Sequence, residues 1–317
     1  MKDIIHFCQL TRMTNVAFIG LYQVMLRYCV VLPTLALWGI EPAMTTVEFT
    51  LLVAATMALT ASGNVINDYF DVRCDLINRP ERQIVDKHIS RKATILIHVI
   101  LTLIGVFLGL LLSFLFRREA YAMFFVCIPV ILWFYSTHFK KQMLIGNMVV
   151  ALMMAAVGLL AVSVEISAIV ASRGGDILGS PACDYAWKFT AAFAFFSFIC
   201  NLSREIIKDM EDVEGDMACE CHTLPVEMGI PNSKIVVILL EIAKICVLWS
   251  AYAVSDMMSS KAYMFEYVLI GLTIPTLVLC FMLMRAHDQK DYHTLSNMSK
   301  AIMAIGVLSM AYAHFLA

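Results

Sequence analysis

Charged residues are scarce in this sequence, and their scarcity excludes an ordinary soluble protein. Only 15% of the 317 residues are Asp, Glu, Lys or Arg, whereas 61% are hydrophobic. A soluble globular domain is about 25% charged and about 45–50% apolar. The composition therefore indicates an integral membrane protein whose first partner is the lipid bilayer.

Several familiar patterns are also absent from the sequence. The net charge is −2 and no basic stripe is present, so we expect no binding of nucleic acid. There is no phosphate-binding glycine loop, no Rossmann glycine pattern and no nucleophile elbow. No low-complexity tract or linker separates soluble domains, and we expect a single domain over residues 1–317.

Long apolar segments fill most of the chain. A helix that crosses a bilayer needs about 20 mostly apolar residues. Nine segments meet this requirement: 16–39, 46–66, 93–116, 119–138, 144–171, 186–206, 234–255, 264–286 and 296–316. Because a spanning segment must satisfy its own backbone hydrogen bonds, and no strand-like alternation competes, the fold class is all-α. We predict nine transmembrane helices around a central cavity.

The distribution of Lys and Arg predicts the orientation of these helices. Cytoplasmic connections carry an excess of both residues. With the N-terminus in the cytoplasm, 16 Lys and Arg residues fall on the cytoplasmic side. The other side holds five, namely Arg117, Arg118, Arg173, Lys188 and Lys261. The bias places two long polar connections, 67–92 and 207–233, as loops that cap the cavity from the cytoplasm. We expect the protein in the plasma membrane.

Each polar connection begins with three aspartates at the same spacing. The first set lies in NDYFDVRCD and the second in KDMEDVEGD, at i, i+3 and i+7 in both: Asp68, Asp71 and Asp75, then Asp209, Asp212 and Asp216. On a helix, this spacing puts three carboxylates on one face, where they repel one another unless a cation compensates. Two such sets facing each other would suit Mg²⁺, which prefers oxygen ligands. The alternative is that they are solvated helix ends balanced by nearby Lys and Arg.

A phosphorylated ligand would complete such a metal site. Mg²⁺ usually takes one or two carboxylates together with phosphate oxygens and waters. Basic residues that can bind the remaining phosphate charge lie near both sets or between them: Arg79, Arg82, Lys140, Lys141, Arg204 and Lys208. The two polar connections therefore predict one site for Mg²⁺ and a phosphorylated compound.

These motifs resemble those of the UbiA-type superfamily of intramembrane prenyltransferases. The first motif is Asn67 with Asp68, Asp71 and Asp75, and it continues into NRPER at 78–82. The second motif runs from Asp209 through HTLP at 222–225. A further family-like stretch is FYSTHFKKQMLIGN at 134–147, which contains Tyr135, Lys140, Gly146 and Asn147. The resemblance covers essentially the whole chain and is strongest to the digeranylgeranylglyceryl phosphate synthase branch.

The resemblance implies a reaction and a set of site residues. The reaction is Mg²⁺-dependent transfer of a prenyl group, geranylgeranyl, from an isoprenyl diphosphate to geranylgeranylglyceryl phosphate. The implied metal ligands are the residues of both motifs: Asn67, Asp68, Asp71, Asp75, Asp209, Asp212 and Asp216. The implied catalytic residues are Asp71, Asp75, Asp212, Asp216 and Tyr135. The implied diphosphate-binding residues are Arg79, Arg82, Lys140, Arg204 and Lys208. Two alternatives remain, namely an aromatic acceptor as in quinone biosynthesis and a cation-coupled membrane transporter.

Some further polar residues have two interpretations each. Arg27 lies in the first apolar segment, where a charge is costly; it either binds diphosphate or pairs with Glu165 or Glu241. Asn64 either joins the site or makes a hydrogen bond between packed helices. Asn15 matches a tendency of the family. Tyr135 is either catalytic or an ordinary aromatic residue at the membrane interface.

Ten cysteines are scattered along the chain, several of them in apolar segments. We expect them to be reduced and to act as small hydrophobic side chains. The stretch CECH at 219–222 is a weak candidate for a metal site, because no second Cys/His pair at zinc spacing accompanies it.

Overall fold

Helices make up almost all of the structure, a computed structural model that describes residues 2–254 and 263–315. The main helices are α1 (Lys2–Leu10), α2 (Met13–Leu26), α3 (Thr46–Asn78), α4 (Arg91–Phe116), α5 (Glu119–Thr137), α6 (Ile145–Arg173), α7 (Pro181–Glu211), α8 (Val213–Ala218), α9 (Leu224–Val254), α10 (Ile274–Arg285) and α11 (Gln289–Phe315). A π-helical turn, Arg27–Val31, and then Leu32–Ala36 extend α2; Met264–Glu266 and a π-helical segment, Tyr267–Thr273, precede α10. Single 3₁₀ turns cover Pro80–Arg82, Phe139–Lys141 and Gly175–Gly179. No strand occurs among the described residues, so the predicted all-α class is confirmed.

Eight helical segments of the described chain are long and apolar enough to cross a membrane. They are Met13–Ala36, Thr46–Asn78, Arg91–Phe116, Glu119–Lys141, Ile145–Arg173, Pro181–Glu211, Leu224–Ala253 and Met264–Arg285. Each overlaps one predicted segment. The ninth predicted segment, 296–316, falls in α11 up to residue 315, and residue 316 lies outside the described residues. Helix α11 is 27 residues long but is not among those eight. The predicted count of nine is therefore approximate.

The two aspartate motifs lie mainly on helices, so the prediction of loops over 67–92 and 207–233 was wrong for these parts of the connections. Helix α3 continues to Asn78, well past the apolar segment 46–66, because residues 67–78 contain neither Gly nor Pro. It ends two residues before Pro80, as expected because proline disfavours a helical conformation in the residue that precedes it. Helix α7 continues past 206 to Glu211.

The second motif does not share one continuous helix face, which corrects the prediction from its spacing. Asp209 lies in the last turn of α7, and Asp212 leaves the helical conformation with φ −101° and ψ 8°. Asp216 then lies on the short helix α8. The chain turns at this break between α7 and α8. The three carboxylates are therefore not carried by a single helix.

Local signals fix the ends of the helices that carry the motifs. At the start of α3, the hydroxyl of Thr45 accepts from the backbone N–H of Glu48 at 3.2 Å, and the Glu48 carboxylate accepts from the Thr45 N–H at 2.7 Å. This reciprocal capping satisfies two otherwise unpaired donors. At the start of α7, the Ser180 hydroxyl accepts from the N–H of Cys183 at 3.4 Å.

A large cavity lies among the helices and confirms the predicted central cavity. Helix α3 packs against α4 and α5, while α7 packs against α6, α9 and α11. Between these groups is a space of about 1530 Å³, lined by residues of α1, α2, α3, α5, α6, α7 and α11. Its deeper wall is apolar, with Leu59, Phe125, Ile128, Met153 and Val157.

The membrane-embedded charge of Arg27 is paired. Its Nε lies 3.0 Å from Glu165 Oε2, and the two side chains are 4% and 0% exposed. The guanidinium also donates to the carbonyl of Met44 and lies 4.7 Å from the ring centre of Phe49. Of the two roles open to Arg27, the structure shows the ion pair with Glu165. Glu241, the other candidate partner, instead pairs with Lys244.

Candidate functional site

The first aspartate motif faces the cavity from the last three turns of α3. Asn67, Asp68, Asp71 and Asp75 all line the cavity. The Asn67 amide donates to Asp71 Oδ2 at 2.6 Å, and Asn67 Oδ1 is buried with no hydrogen-bond partner among the described residues. An unpartnered oxygen beside three carboxylates is the kind of ligand that a hard cation takes.

Basic side chains neutralise two of these carboxylates. Arg12 Nη2 lies 2.6 Å from Asp68 Oδ1, and Lys140 pairs with Asp71. Lys140 follows α5 in the turn Phe139–Lys141, so the family-like stretch at 134–147 brings a cation to the first motif. The repulsion expected among the aspartates is therefore relieved by residues distant in sequence.

The second aspartate motif is held by neutral hydrogen-bond donors. Asn147 donates to Asp209 Oδ2 at 2.7 Å, and the Thr223 hydroxyl donates to Asp216 Oδ2 at 3.0 Å. Burial raises the pKa of Asp216 to about 6, and the hydrogen bond from Thr223 opposes the shift. Burial also raises the pKa of Asp212, against the positive charge of Arg79. Asp212 lines the cavity, whereas Asp209 and Asp216 are not among the described lining residues.

The two motifs meet at the mouth of the cavity. Arg79, which follows α3, lies 2.7 Å from Asp212 Oδ1 and 3.0 Å from Glu211 Oε1. The Asn78 amide donates to the Asp212 carbonyl at 3.1 Å, and its oxygen accepts from the N–H of Gly215 at 2.8 Å. A Cβ at position 215 would overlap the Asn78 side chain, so this approach requires glycine. The structure thus joins the two motifs, as the sequence predicted.

A disulfide also links the two motifs. Cys74 on α3 is bonded to Cys219 after α8, with their Cα atoms 6.0 Å apart. The expectation that all cysteines are reduced was wrong for this pair, because the approach of the motifs brings the two within disulfide range. The other eight cysteines are free thiols.

The stretch CECH does not form a metal centre in the described structure. Cys219 is in the disulfide, Cys221 is buried, and His222 pairs with Glu227. The N–H of His222 donates to the carbonyl of Lys141 at 2.8 Å, so the segment ties the second motif to the turn that carries Lys140.

The remaining predicted cations lie on α7 and beyond α3. Arg204 Nη1 lies 2.6 Å from Glu205 Oε1, and Lys208 Nζ lies 3.0 Å from Glu205 Oε2. Arg204 and Lys208 line the cavity, as does Arg79. Arg82 belongs to the turn Pro80–Arg82, and its side chain lies outside the described part of the structure.

The ligand set fits Mg²⁺ that arrives with a diphosphate. Among the described residues, no three His, Cys, Asp or Glu side chains converge closely enough to hold an ion by themselves. Mg²⁺ usually takes only one or two carboxylates and completes its shell with phosphate oxygens and water. The structure offers such a partial set of oxygen ligands around one opening. They are the carboxylates of Asp68, Asp71, Asp75 and Asp212 and the side-chain oxygen of Asn67.

The other candidate residues also surround the cavity. Tyr135 lines it, within electrostatic range of Asp71 and Glu205. Asn64 also lines the cavity, and its amide donates to the carbonyl of Thr11 at 2.9 Å. Of the two interpretations of Asn64, the structure thus shows the hydrogen bond between packed helices. Asn15 is a lining residue near the start of α2.

The sequence analysis did not assign Arg12, Glu205 or Lys300 to the site, although all three line the cavity. Arg12 stands in the turn between α1 and α2 with φ 52°, a left-handed conformation uncommon for residues other than glycine. No sequence pattern predicts that Arg12 pairs with Asp68. Lys300 was detectable, because it lies within the predicted segment 296–316, where an ionisable residue is costly and usually functional.

The chain is similar to known proteins in sequence and in fold. The sequence model of the UbiA prenyltransferase family matches residues 20–310. The digeranylgeranylglyceryl phosphate synthase of Methanothermobacter thermautotrophicus is 30% identical over 278 residues, which are 83% of this chain and 85% of the relative. A solved structure of a digeranylgeranylglyceryl phosphate synthase shares the fold, with a TM-score of 0.65 and 20% identity over 99% of both chains. A UbiA homologue from Archaeoglobus fulgidus, bound to DMAPP and Mg²⁺, has a TM-score of 0.59 and 14% identity, covering 96% of this chain and 99% of its own.

Proposed function

This chain belongs to the UbiA prenyltransferase family, and we propose that it transfers a prenyl group, geranylgeranyl, from an isoprenyl diphosphate to geranylgeranylglyceryl phosphate. The observation that carries this proposal is the junction of the two aspartate motifs, through Arg79 and Asp212, over a cavity with an apolar wall. The name of the Methanothermobacter relative supports the acceptor. The Archaeoglobus homologue with bound DMAPP and Mg²⁺ supports the donor class and the ion.

In the proposed site, residues of both motifs would hold Mg²⁺. Asn67, Asp68, Asp71 and Asp75 would contribute from α3, and the second motif would contribute Asp209 from the last turn of α7, Asp212 from the residue after it and Asp216 from α8. When bound, the ion supplies electrostatic stabilisation of the negative charge on the diphosphate. Arg79 and Lys140 already contact carboxylates of the motifs, so their remaining N–H groups are placed beside the phosphate oxygens. These cations stabilise the charge that develops on the leaving group as the C1–O bond of the donor breaks.

The apolar wall of the cavity has two tasks in this reaction. It holds the isoprenoid chain, and it excludes water that would capture the carbocation-like C1 centre. Leu59, Phe125, Ile128 and Met153 provide this surface. Tyr135 lines the same cavity within electrostatic range of Asp71, and the π face of its ring would stabilise positive charge at C1. The acceptor hydroxyl then attacks C1, and its proton leaves to a carboxylate or to the departing diphosphate.

The reaction site belongs on the cytoplasmic side of the plasma membrane. The support for this placement is the excess of Lys and Arg on the side that carries both motifs, 16 residues against five. The organisation of residues 1–317 as a single domain likewise remains a prediction from the sequence.

An acceptor panel tests the proposal. Purified full-length protein is given radiolabelled geranylgeranyl diphosphate and Mg²⁺, with geranylgeranylglyceryl phosphate, 4-hydroxybenzoate or a dihydroxynaphthoate as the acceptor. We expect the phosphorylated lipid to be prenylated fastest. A clear preference for an aromatic acid would replace the acceptor while keeping the donor and metal site. Transfer to none of the three would reject the proposed function.

A further inference from the structure

The reaction described above does not use Lys300, a charged side chain within the predicted segment 296–316. It lies on α11, lines the cavity and is half-buried. It forms no ion pair or side-chain hydrogen bond within the described residues. A half-buried ammonium group without a carboxylate partner is costly unless a ligand supplies the opposite charge.

Lys300 belongs to a positively charged group. Arg204 and Lys208 on α7 lie within electrostatic range of Lys300, as does Glu205, and all four line the same cavity. Glu205 is already shared, because it accepts from Arg204 at 2.6 Å and from Lys208 at 3.0 Å. Arg12 is also within range of Lys300, but its charge is paired with Asp68. The remaining three cations and one carboxylate leave a formal excess of two positive charges.

Arg204 also has unused hydrogen-bonding capacity. Its side chain is only 12% exposed, and its Nε is buried with no hydrogen-bond partner among the described residues. A buried donor left unpaired is costly, so its retention points to a ligand that accepts from it. Asn201, one turn earlier on α7, lines the cavity beside it.

We propose that Arg204, Lys208 and Lys300 form a second anion site that binds the phosphate monoester of the acceptor lipid. The inference rests on the proposed function and adds the residues that select its acceptor. A phosphate monoester carries about −1.5 to −2 charges at pH 7, which matches the excess of two positive charges. The carboxylate of an aromatic acid would bring only one negative charge.

The surroundings of Lys300 suit a lipid phosphate. Ala301, Met303 and Ala304 continue the cavity wall along α11, and Phe18 lines it from α2. An isoprenoid chain attached to the phosphate would therefore meet apolar side chains directly. The metal-binding carboxylates of the first motif are held by other cations, Arg12 and Lys140. In this proposal Arg79 and Lys140 serve the donor diphosphate. Arg204 and Lys208, for which the resemblance implies a role at the diphosphate, serve the acceptor phosphate instead.

The test is equilibrium binding of two lipids to the purified full-length protein, measured separately. Geranylgeranylglyceryl phosphate is titrated in EDTA, where no metal–diphosphate complex can form, and geranylgeranyl diphosphate is titrated in Mg²⁺. In Lys300→Gln, we expect the affinity for the phosphorylated lipid to fall about tenfold or more, as for a lost charged hydrogen bond. The affinity for the diphosphate should change by less than about twofold, as for a substitution away from its site.

Three controls make the result specific. Lys290→Gln removes an exposed charge from the first turn of the same helix and should bind both lipids as the wild type does. Lys300→Arg keeps the charge and should keep most of the affinity. Geranylgeranylglycerol, which lacks the phosphate, should bind the wild type and Lys300→Gln equally.

The outcomes that overturn the site are equally definite. Wild-type affinity of Lys300→Gln for the phosphorylated lipid would do so, as would an equal loss for the donor diphosphate or for geranylgeranylglycerol. Because binding needs no turnover, a protein that prenylates none of the acceptors still reports on this site. Failure of the proposed reaction and failure of the second anion site are therefore distinguishable.

Discussion

Arg79 lies 2.7 Å from the carboxylate of Asp212, so the end of α3 contacts the second aspartate motif directly. The two residues are 133 positions apart in the sequence. Asn78 and the disulfide between Cys74 and Cys219 join the same two elements. The two motifs therefore act as one unit, and this has a consequence for their mutants.

Loss of one carboxylate in either motif should impair catalysis similarly. We expect Asp71→Asn and Asp212→Asn each to lower kcat/KM by about 10²–10³, the usual cost of removing one preorganised electrostatic group. The double mutant should lose much less than the product of the two losses, because groups that act together are not additive. Steady-state kinetics with geranylgeranyl diphosphate measure all three.

The matched control is Asp86→Asn, which removes an exposed carboxylate that pairs with exposed Arg91. Its kcat/KM should change by less than about twofold, since surface substitutions usually have small effects. If Asp71→Asn or Asp212→Asn behaved like this control in well-folded protein, that residue would not belong to the site.

The pair formed by Arg27 and Glu165 should be structural. Removing one partner of a buried ion pair leaves an uncompensated charge and typically costs about 3–5 kcal/mol. Arg27→Met should therefore lower the thermal stability in detergent strongly, while the folded fraction keeps its KM for the diphosphate donor. Arg27→Met combined with Glu165→Leu should recover much of the stability. A stable Arg27→Met protein with a raised KM for the donor would instead assign Arg27 to the diphosphate.

The membrane-spanning helices and the pairing of the motifs could be predicted because each depends on a regular pattern. Apolar length identifies a segment that crosses lipid, and the repeated spacing of Asp68, Asp71 and Asp75 pointed to a second copy that faces it. Hydropathy reports the lipid boundary but not the end of the helix. For this reason the continuation of α3 from 66 to Asn78 was not predicted.

The contacts that finish the site could not be predicted from the sequence. Arg12 and Asp68 are 56 positions apart, and only the folded helices bring them together. Just after the break at Asp212, Gly215 contacts Asn78, which is 137 positions away in the sequence, and no local propensity encodes this contact. The disulfide between Cys74 and Cys219 has the same origin, because it follows from the approach of the two motifs.

Metal binding should depend on pH through Asp216. Burial raises the pKa of this carboxyl to about 6, and only the ionised form binds a metal ion. Protons therefore compete with Mg²⁺ as the pH falls through about 6, and the apparent Mg²⁺ affinity should decrease there. The Mg²⁺ concentration for half-maximal activity, measured across this range, reports the effect. In Asp216→Asn this decrease should be smaller than in the wild type but not absent, because burial also raises the pKa of Asp212; an unchanged decrease would assign it to other groups.

The two faces of the protein should be distinguishable by labelling. Asp86 and Asp176 are exposed and lie in connections predicted on opposite sides of the membrane. In a variant without native cysteines, Asp86→Cys should react with a membrane-impermeant maleimide only after the cytoplasmic side is opened. Asp176→Cys should react in intact cells. Labelling of both from the same side would contradict the proposed orientation of the site.

The shared site of the two motifs is tested most directly by equilibrium binding of Mn²⁺, used in place of Mg²⁺, with and without inorganic diphosphate. In the wild type, diphosphate should raise the affinity for Mn²⁺, because its oxygens complete the ligands that Asp71 and Asp212 begin. In Asp71→Asn and in Asp212→Asn alike, that enhancement should be lost, although the two residues lie on different helices. Full enhancement in either variant, or none in the wild type, would contradict a single metal–diphosphate site built from both motifs.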